Sequence, residues 1–80
     1  MNQEIITELN KILPVVERVH GDHHPELHEV HSLYKQLLEN PSKEIFEKLR
    51  AVTNNYTLPE DACPTYEKTY RDLQLLEKGA

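Results

Sequence analysis

Several residue types that define other protein classes are scarce in this sequence. It has one cysteine, two glycines, one phenylalanine and no tryptophan among its 80 residues. A single cysteine permits no intrachain disulfide, which is the usual condition of proteins in a reducing compartment, so we expect the chain to be cytoplasmic. No apolar run reaches the length of a bilayer-spanning helix or of a signal-peptide core, which argues against a membrane protein.

Positive charge is scarce as well. Nine Lys and Arg residues stand against 14 Asp and Glu residues, so the net charge is −5 with neutral histidines. This excess of negative charge argues against binding to nucleic acids or to anionic membrane surfaces. The sequence also lacks a glycine-rich phosphate loop, a Ser–His–Asp pattern and a cysteine pair, and it therefore favours a protein without enzymatic activity.

Apolar residues recur at helical spacing in four segments of this small chain, whose length fits one domain, residues 1–80. The predicted helices run from about Asn2 to Val19, from Pro25 to about Asn40, from about Pro41 to Thr53, and from Pro59 or Asp61 to Lys78. Short connections favour antiparallel neighbours, so the prediction is an all-α, up-down bundle of about four helices. Eight apolar and aromatic residues are expected to fill its core: Leu27, Val30, Leu37, Phe46, Leu49, Tyr66, Tyr70 and Leu73.

Proline, glycine and asparagine mark the predicted helix ends. Pro14 should kink the first helix or divide it near that point, because proline removes a backbone donor. Gly21 should end that helix in the left-handed conformation that glycine accepts. Asn40 is expected to cap a third helix that starts at Pro41, and Asn54–Asn55 should end it, since asparagine tolerates the left-handed region.

All five histidines fall between His20 and His31. His24, His28 and His31 are spaced i, i+4, i+7, which would place them on one side of a helix. Imidazole is the commonest protein metal ligand, so the sequence predicts a metal site formed by His20, His24, His28 and His31, with iron and zinc as candidate metals. The alternative is a polar helix start with exposed histidines. Cys63 is either a small packed side chain or a reactive thiol near a helix start.

Two stretches contain long runs of uncommon residue combinations. The first is Val16–Leu27 (VERVHGDHHPEL), and the second is Leu49–Tyr66 (LRAVTNNYTLPEDACPTY). Both resemble the di-iron proteins that repair iron–sulfur clusters, a branch of the hemerythrin-like family. The resemblance implies a four-helix bundle around a carboxylate-bridged, histidine-ligated di-iron centre, and a role in recovery from nitrosative and oxidative stress.

The resemblance carries over one metal ligand, His20, at the end of the Val-Glu-Arg-Val-His motif. The family's other ligands have no counterpart in this sequence. No histidine precedes His20, no His–Glu pair follows Leu38, and the stretch around Lys43–Phe46 contains no histidine. The family's final histidine-rich segment is not found before Ala80. The resemblance therefore implies a shortened, hemerythrin-like member that lacks most of the metal ligands.

Three functions follow from this comparison. The first is a non-catalytic interaction or regulatory module in the stress response, acting beside a full-length relative or another protein. The second is a small iron- or zinc-binding protein that uses the His20–His31 cluster, with the site extending across a dimer interface. The third is residual repair activity. A bundle that has lost helical material should expose apolar surface, so we expect a homodimer.

Overall fold

The computed structural model describes residues 2–79, and over that range it contains four α-helices and no strand. The helices are α1 (Gln3–His20), α2 (Glu26–Glu39), α3 (Lys43–Val52) and α4 (Pro64–Gly79). The predicted all-α bundle of about four helices is therefore confirmed. Among the described helices, none is both long and apolar enough to span a membrane.

Helix α1 lies between α2 and α4, and α2 also packs against α3. The contacts between α1 and α2 give their direction. The Tyr34 hydroxyl donates to Asn10 Oδ1 at 2.7 Å, whereas His31, one turn earlier on α2, contacts Glu17 further along α1. The two helices are therefore antiparallel. Helix α4 is antiparallel to α1 as well, because Cys63, which precedes α4, lies beside the last residue of α1.

The interior consists almost entirely of aliphatic and tyrosine side chains. All eight residues that the sequence predicted as core are buried, and the buried apolar set is Leu9, Leu13, Val16, Leu27, Val30, Leu33, Tyr34, Leu37, Phe46, Leu49, Tyr56, Tyr66, Tyr70, Leu73 and Leu76. Val19, the last residue of the first predicted helix, is 61% exposed although it is apolar. At about 100° per residue, Val19 points roughly 90° away from the face that carries Leu9, Leu13 and Val16.

The first helix passes through Pro14 without interruption, so the predicted division did not occur. The buried side chains of Leu13 and Val16 pack on either side of the proline and hold both halves of the helix in the core. Gly21 follows the helix in the right-handed region, at φ −59° and ψ −29°. The prediction of a left-handed Gly21 was therefore wrong, and this glycine has another reason to be there.

The third and fourth helices begin later than the sequence predicted. Asn40 still donates its N–H to the Gln36 carbonyl at the end of α2, so it does not cap α3. The cap is Ser42, whose extended backbone lets its hydroxyl accept a hydrogen bond from the Ile45 N–H at 3.2 Å. Helix α4 begins at Pro64 itself, since proline needs no hydrogen-bond acceptor at the first helical position.

The turn after α3 uses the left-handed region more than the sequence predicted. Asn54 and Asn55 have φ values of 53° and 60°, and Tyr56 follows at 59°. Three successive residues in this region are uncommon, because the conformation crowds the side chain of every residue except glycine. The Thr53 hydroxyl stabilises the turn, accepting from the Tyr56 N–H at 2.9 Å and donating to the Leu49 carbonyl at 2.8 Å.

Candidate functional site

The histidines lie at one end of the bundle, on both sides of the turn between α1 and α2. His20 is the last residue of α1, and His28 and His31 lie on α2. His24 lies in the turn, because α2 begins only at Glu26. The expected stacking of His24 with His28 and His31 on one helix was therefore wrong. The four predicted metal ligands separate into two groups with different partners.

The first group is the Glu17 cluster, formed by Glu17, His28 and His31. The two carboxylate oxygens of Glu17 contact one ring each: Oε1 is 2.7 Å from His31 Nδ1, and Oε2 is 2.9 Å from His28 Nδ1. Partial burial acts to raise the pKa of Glu17, but the hydrogen bonds from both imidazoles outweigh it and lower that pKa. This cluster connects α1 to the first turns of α2.

Gly21 is needed for close packing beside the Glu17 cluster. The residue is buried, and a Cβ atom added to it would lie 3.0 Å from His28 Cε1. That atom would also clash with the Glu17 carbonyl oxygen, which belongs to the backbone and cannot move freely. Glycine at this position therefore allows the His28 ring to cover the end of α1.

The second group brings His20 and His24 against the segment that precedes α4. His20 Nε2 lies 3.4 Å from Cys63 Sγ. His24 Nε2 lies 2.9 Å from one oxygen of Asp61 and 3.2 Å from the other. Both rings pack edge-on against Tyr66, with ring centres 5.0 Å and 5.8 Å from the tyrosine. Two pairs, His20–Cys63 and His24–Asp61, thus lie on the same aromatic ring.

Local structure positions Cys63 and Asp61. Cys63 immediately precedes α4, and its sulfur accepts a hydrogen bond from the Tyr66 N–H at 3.4 Å, as an N-cap side chain does. The Cys63 side chain is half-buried. Its exposure lies between that of a packed core side chain and that of a reactive surface thiol, the two alternatives given by the sequence. The hydrogen bond from His24 is the main cause of a lowered pKa at Asp61.

Sequence reasoning did not single out Glu17, Asp61 or Tyr66 as partners of the histidines. The sequence predicted Tyr66 as a core residue and gave Glu17 no role. The helical spacing of apolar residues and the residues that mark helix ends identify the helices. Neither contains information about which side chains from distant segments meet. The only sequence signal was local: Asp61 and Cys63 lie in the PEDAC stretch of the matched motif.

In their observed positions, the side chains at the histidine end of the bundle do not form a single metal-coordination shell. Over residues 2–79, no three His, Cys, Asp or Glu side chains are arranged, in their observed positions, to hold a metal ion. His24 contacts the carboxylate of Asp61, which precedes α4, and His28 contacts the carboxylate of Glu17 on α1. A metal site that uses His20, His24, His28 and His31 stays a prediction.

The residues of the interior do not fit a di-iron centre. The buried polar side chains of the described range are Thr53, Thr69 and Asp72. Asp72 contacts Glu8 of α1, and its Oδ2 atom is buried without a hydrogen-bond partner among residues 2–79. Glu8 and His20 are twelve residues apart on α1, or about 18 Å, so the carboxylates and the family-matched histidine cannot share one centre.

Neither a protein-family model nor a solved structure matches this chain at a significant level. The resemblance to the cluster-repair proteins therefore depends on the two sequence motifs alone and stays a prediction.

Proposed function

We propose that this protein is a non-catalytic interaction or regulatory module, a hemerythrin-like relative of the di-iron proteins that repair iron–sulfur clusters. The observation that carries the proposal is the composition of the core. Where a di-iron bundle requires several histidines and carboxylates pointing inward, the buried positions of the described range hold leucine, valine, phenylalanine and tyrosine, with two threonines and a single acid, Asp72. Such an interior stabilises a scaffold and offers no place for the family's reaction.

The motifs that match the family are found at the ends of helices and in turns. Val16–Leu27 includes Glu17 and the turn between α1 and α2, and Leu49–Tyr66 includes the left-handed turn after α3 and the start of α4. These segments hold the helices together, so their retention is compatible with a bundle that keeps the family's scaffold without its metal chemistry. We place the module in the same stress response on the basis of this resemblance.

A second copy of the chain is the partner that we propose. Val15 and Val19 are 39% and 61% exposed and lie one turn apart on α1, so they form a small apolar patch. A domain of this size gains stability by covering such a patch, and two-fold dimers are the commonest arrangement.

Iron reconstitution and sedimentation on the same sample test the proposal. Protein purified without an affinity tag, loaded with iron(II) and then oxidised, should hold fewer than two irons per chain. It should also lack the absorption bands of an oxo-bridged ferric pair. Sedimentation velocity should show a dimer at high micromolar concentration for the wild type. The control variant Leu75→Lys, which replaces an exposed leucine on α4, should also be a dimer. The double variant Val15→Lys/Val19→Lys should be monomeric.

Two irons per chain with an oxo-bridge spectrum would contradict the non-catalytic role. A wild-type monomer at high micromolar concentration would contradict the dimer. A dimer that persists in the double variant would show that the copies meet through another face.

A further inference from the structure

Four metal-binding side chains from two distant parts of the chain meet at the histidine end. His20 ends α1, His24 lies in the turn that follows it, and Asp61 and Cys63 lie in the segment before α4. Two nitrogens, one sulfur and one carboxylate are together a donor set that suits zinc. The set includes only two of the histidines that the sequence singled out, and it does not depend on the proposed module function.

The distances within each pair are near those of a shared metal ion. Around a tetrahedral zinc ion, with bonds of about 2.1 Å to nitrogen and about 2.3 Å to sulfur, neighbouring nitrogen and sulfur atoms lie about 3.6 Å apart. His20 Nε2 and Cys63 Sγ are 3.4 Å apart. His24 Nε2 and the nearest Asp61 oxygen are 2.9 Å apart. They would have to move apart by about 0.5 Å to reach the spacing of two ligands on a tetrahedral zinc ion.

In their observed positions, the two pairs stand slightly too far from each other to share one metal ion. The ring centres of His20 and His24 are 6.4 Å apart, whereas two imidazoles on one zinc ion have centres about 5 Å apart. A closure of about 1 Å is therefore required. Asp61 has a 59% exposed side chain, and the backbone of His24 lies in a turn outside the helices, so these two residues can supply the closure without movement of a helix.

The sulfur ligand lies at the start of a helix and is held in place there. Metal binding displaces the thiol proton and leaves a thiolate on Cys63. This sulfur already accepts the Tyr66 N–H at the first turn of α4, where the helix dipole stabilises negative charge. Tyr66 makes T-shaped contacts with both imidazole rings, which keeps the two rings close to the site.

We propose that His20, His24, Asp61 and Cys63 together bind one divalent transition metal ion, with zinc as the best fit. Four protein ligands leave no open position, so the ion would have a structural role and connect the end of α1 to the start of α4. His28 and His31 take no part, because Glu17 holds both rings.

Metal titration of matched variants tests this ligand set. The reduced wild-type protein should bind one Zn²⁺ or Co²⁺ per chain, and the cobalt complex should show a tetrahedral visible spectrum with a thiolate charge-transfer band. Cys63→Ser should lose that band, and both Cys63→Ser and His24→Ala should weaken zinc binding at least about tenfold. The double variant His28→Ala/His31→Ala should keep the affinity and spectrum of the wild type.

Folding of the sulfur variant is not a concern, because serine is a preferred N-cap and its hydroxyl can accept the same Tyr66 N–H. The circular dichroism spectrum of each variant checks this point. The proposal is overturned if wild-type binding is weaker than millimolar, or if cobalt binds without a thiolate band. It is equally overturned if binding depends on His28 and His31 instead of His24 and Cys63. Iron content has no part in the readout, so the result is independent of the module hypothesis.

Discussion

Glu8 and Glu17 lie on the same helix, and each contacts a neighbouring helix, but their surroundings are opposite. Glu17 faces α2 and meets two histidine rings, one on each carboxylate oxygen. Glu8 faces α4 and lies beside another acid, Asp72, which is only 6% exposed. Lys68 Nζ lies 3.3 Å from Glu8 Oε1 and is the nearest compensating charge.

The difference shows that the partner helix decides what a carboxylate contributes. At Glu17, hydrogen bonds from bases outweigh burial and lower the pKa. Burial raises the pKa of Asp72 to about 6, and the neighbouring Glu8 adds to this effect. The neighbouring Asp72 carboxyl is the main cause of the lowered pKa of Glu8. At neutral pH the contact with α2 is therefore stabilising, whereas the two acids between α1 and α4 repel each other.

The largest expected effect separates packing from charge between α1 and α4. Leu73 is fully buried beside Asp72 in the sequence, and Leu75 on the same helix is 42% exposed. Leu73→Ala should lower the free energy of unfolding by about 2–5 kcal/mol, because it removes apolar contacts and leaves a cavity. Leu75→Ala should change it by less than about 0.5 kcal/mol. Equal effects in chemical denaturation would mean that apolar packing does not hold α4 in place.

The next effect is a gain in stability from removing one acid. Asp72→Asn should raise the free energy of unfolding at pH 7.5 by about 1–2 kcal/mol, since the amide removes the second negative charge and has an N–H group that can donate to Glu8. For a domain of this size, that change raises the melting temperature by several degrees. The control is Asp22→Asn at an exposed aspartate, which should have little effect.

The gain should depend on pH in one direction. The pKa of Asp72 is raised from an unfolded value of about 3.9, so the folded state binds a proton that the unfolded state releases between pH 4 and 6. Wild-type stability from this group is present at low pH and decreases as the pH rises through that window. The opposite shift at Glu8 reduces the total effect. Melting temperatures of wild type and Asp72→Asn should converge near pH 4. A variant less stable than wild type at pH 7.5 would contradict this account.

The smallest effect concerns the Glu17 cluster. Glu17→Gln leaves one oxygen to accept a hydrogen bond from His31 or His28 and replaces the other with a donor. The variant should lose about 1 kcal/mol at pH 7.5, a modest value because His28 is 60% exposed at its side chain. Glu47→Gln, at an exposed position on α3, should melt like the wild type. A Glu17→Gln protein with an unchanged melting temperature would show that this cluster does not stabilise the α1–α2 contact.

Local sequence patterns were sufficient for the helices and for the eight core residues, because a helix buries the same stripe that its period displays. They were less reliable at helix ends. Asn40 and Ser42 are both good caps, and only the backbone conformation shows that Ser42 starts α3 while Asn40 still belongs to α2. Gly21 was expected to serve a local conformation, but its conformation is ordinary, and the close approach of His28 explains it.

The sequence by itself determined that this protein is a small all-α bundle and that its histidines gather at one end. It did so because helical periodicity and residue clustering are properties of neighbouring positions. Only the tertiary structure decided that Glu17 would meet two bases and Glu8 an acid, and that His20 and His24 would meet Cys63 and Asp61. Those contacts join residues that are up to 64 positions apart, from Glu8 to Asp72, and the antiparallel packing of α1 with its neighbours brings them together.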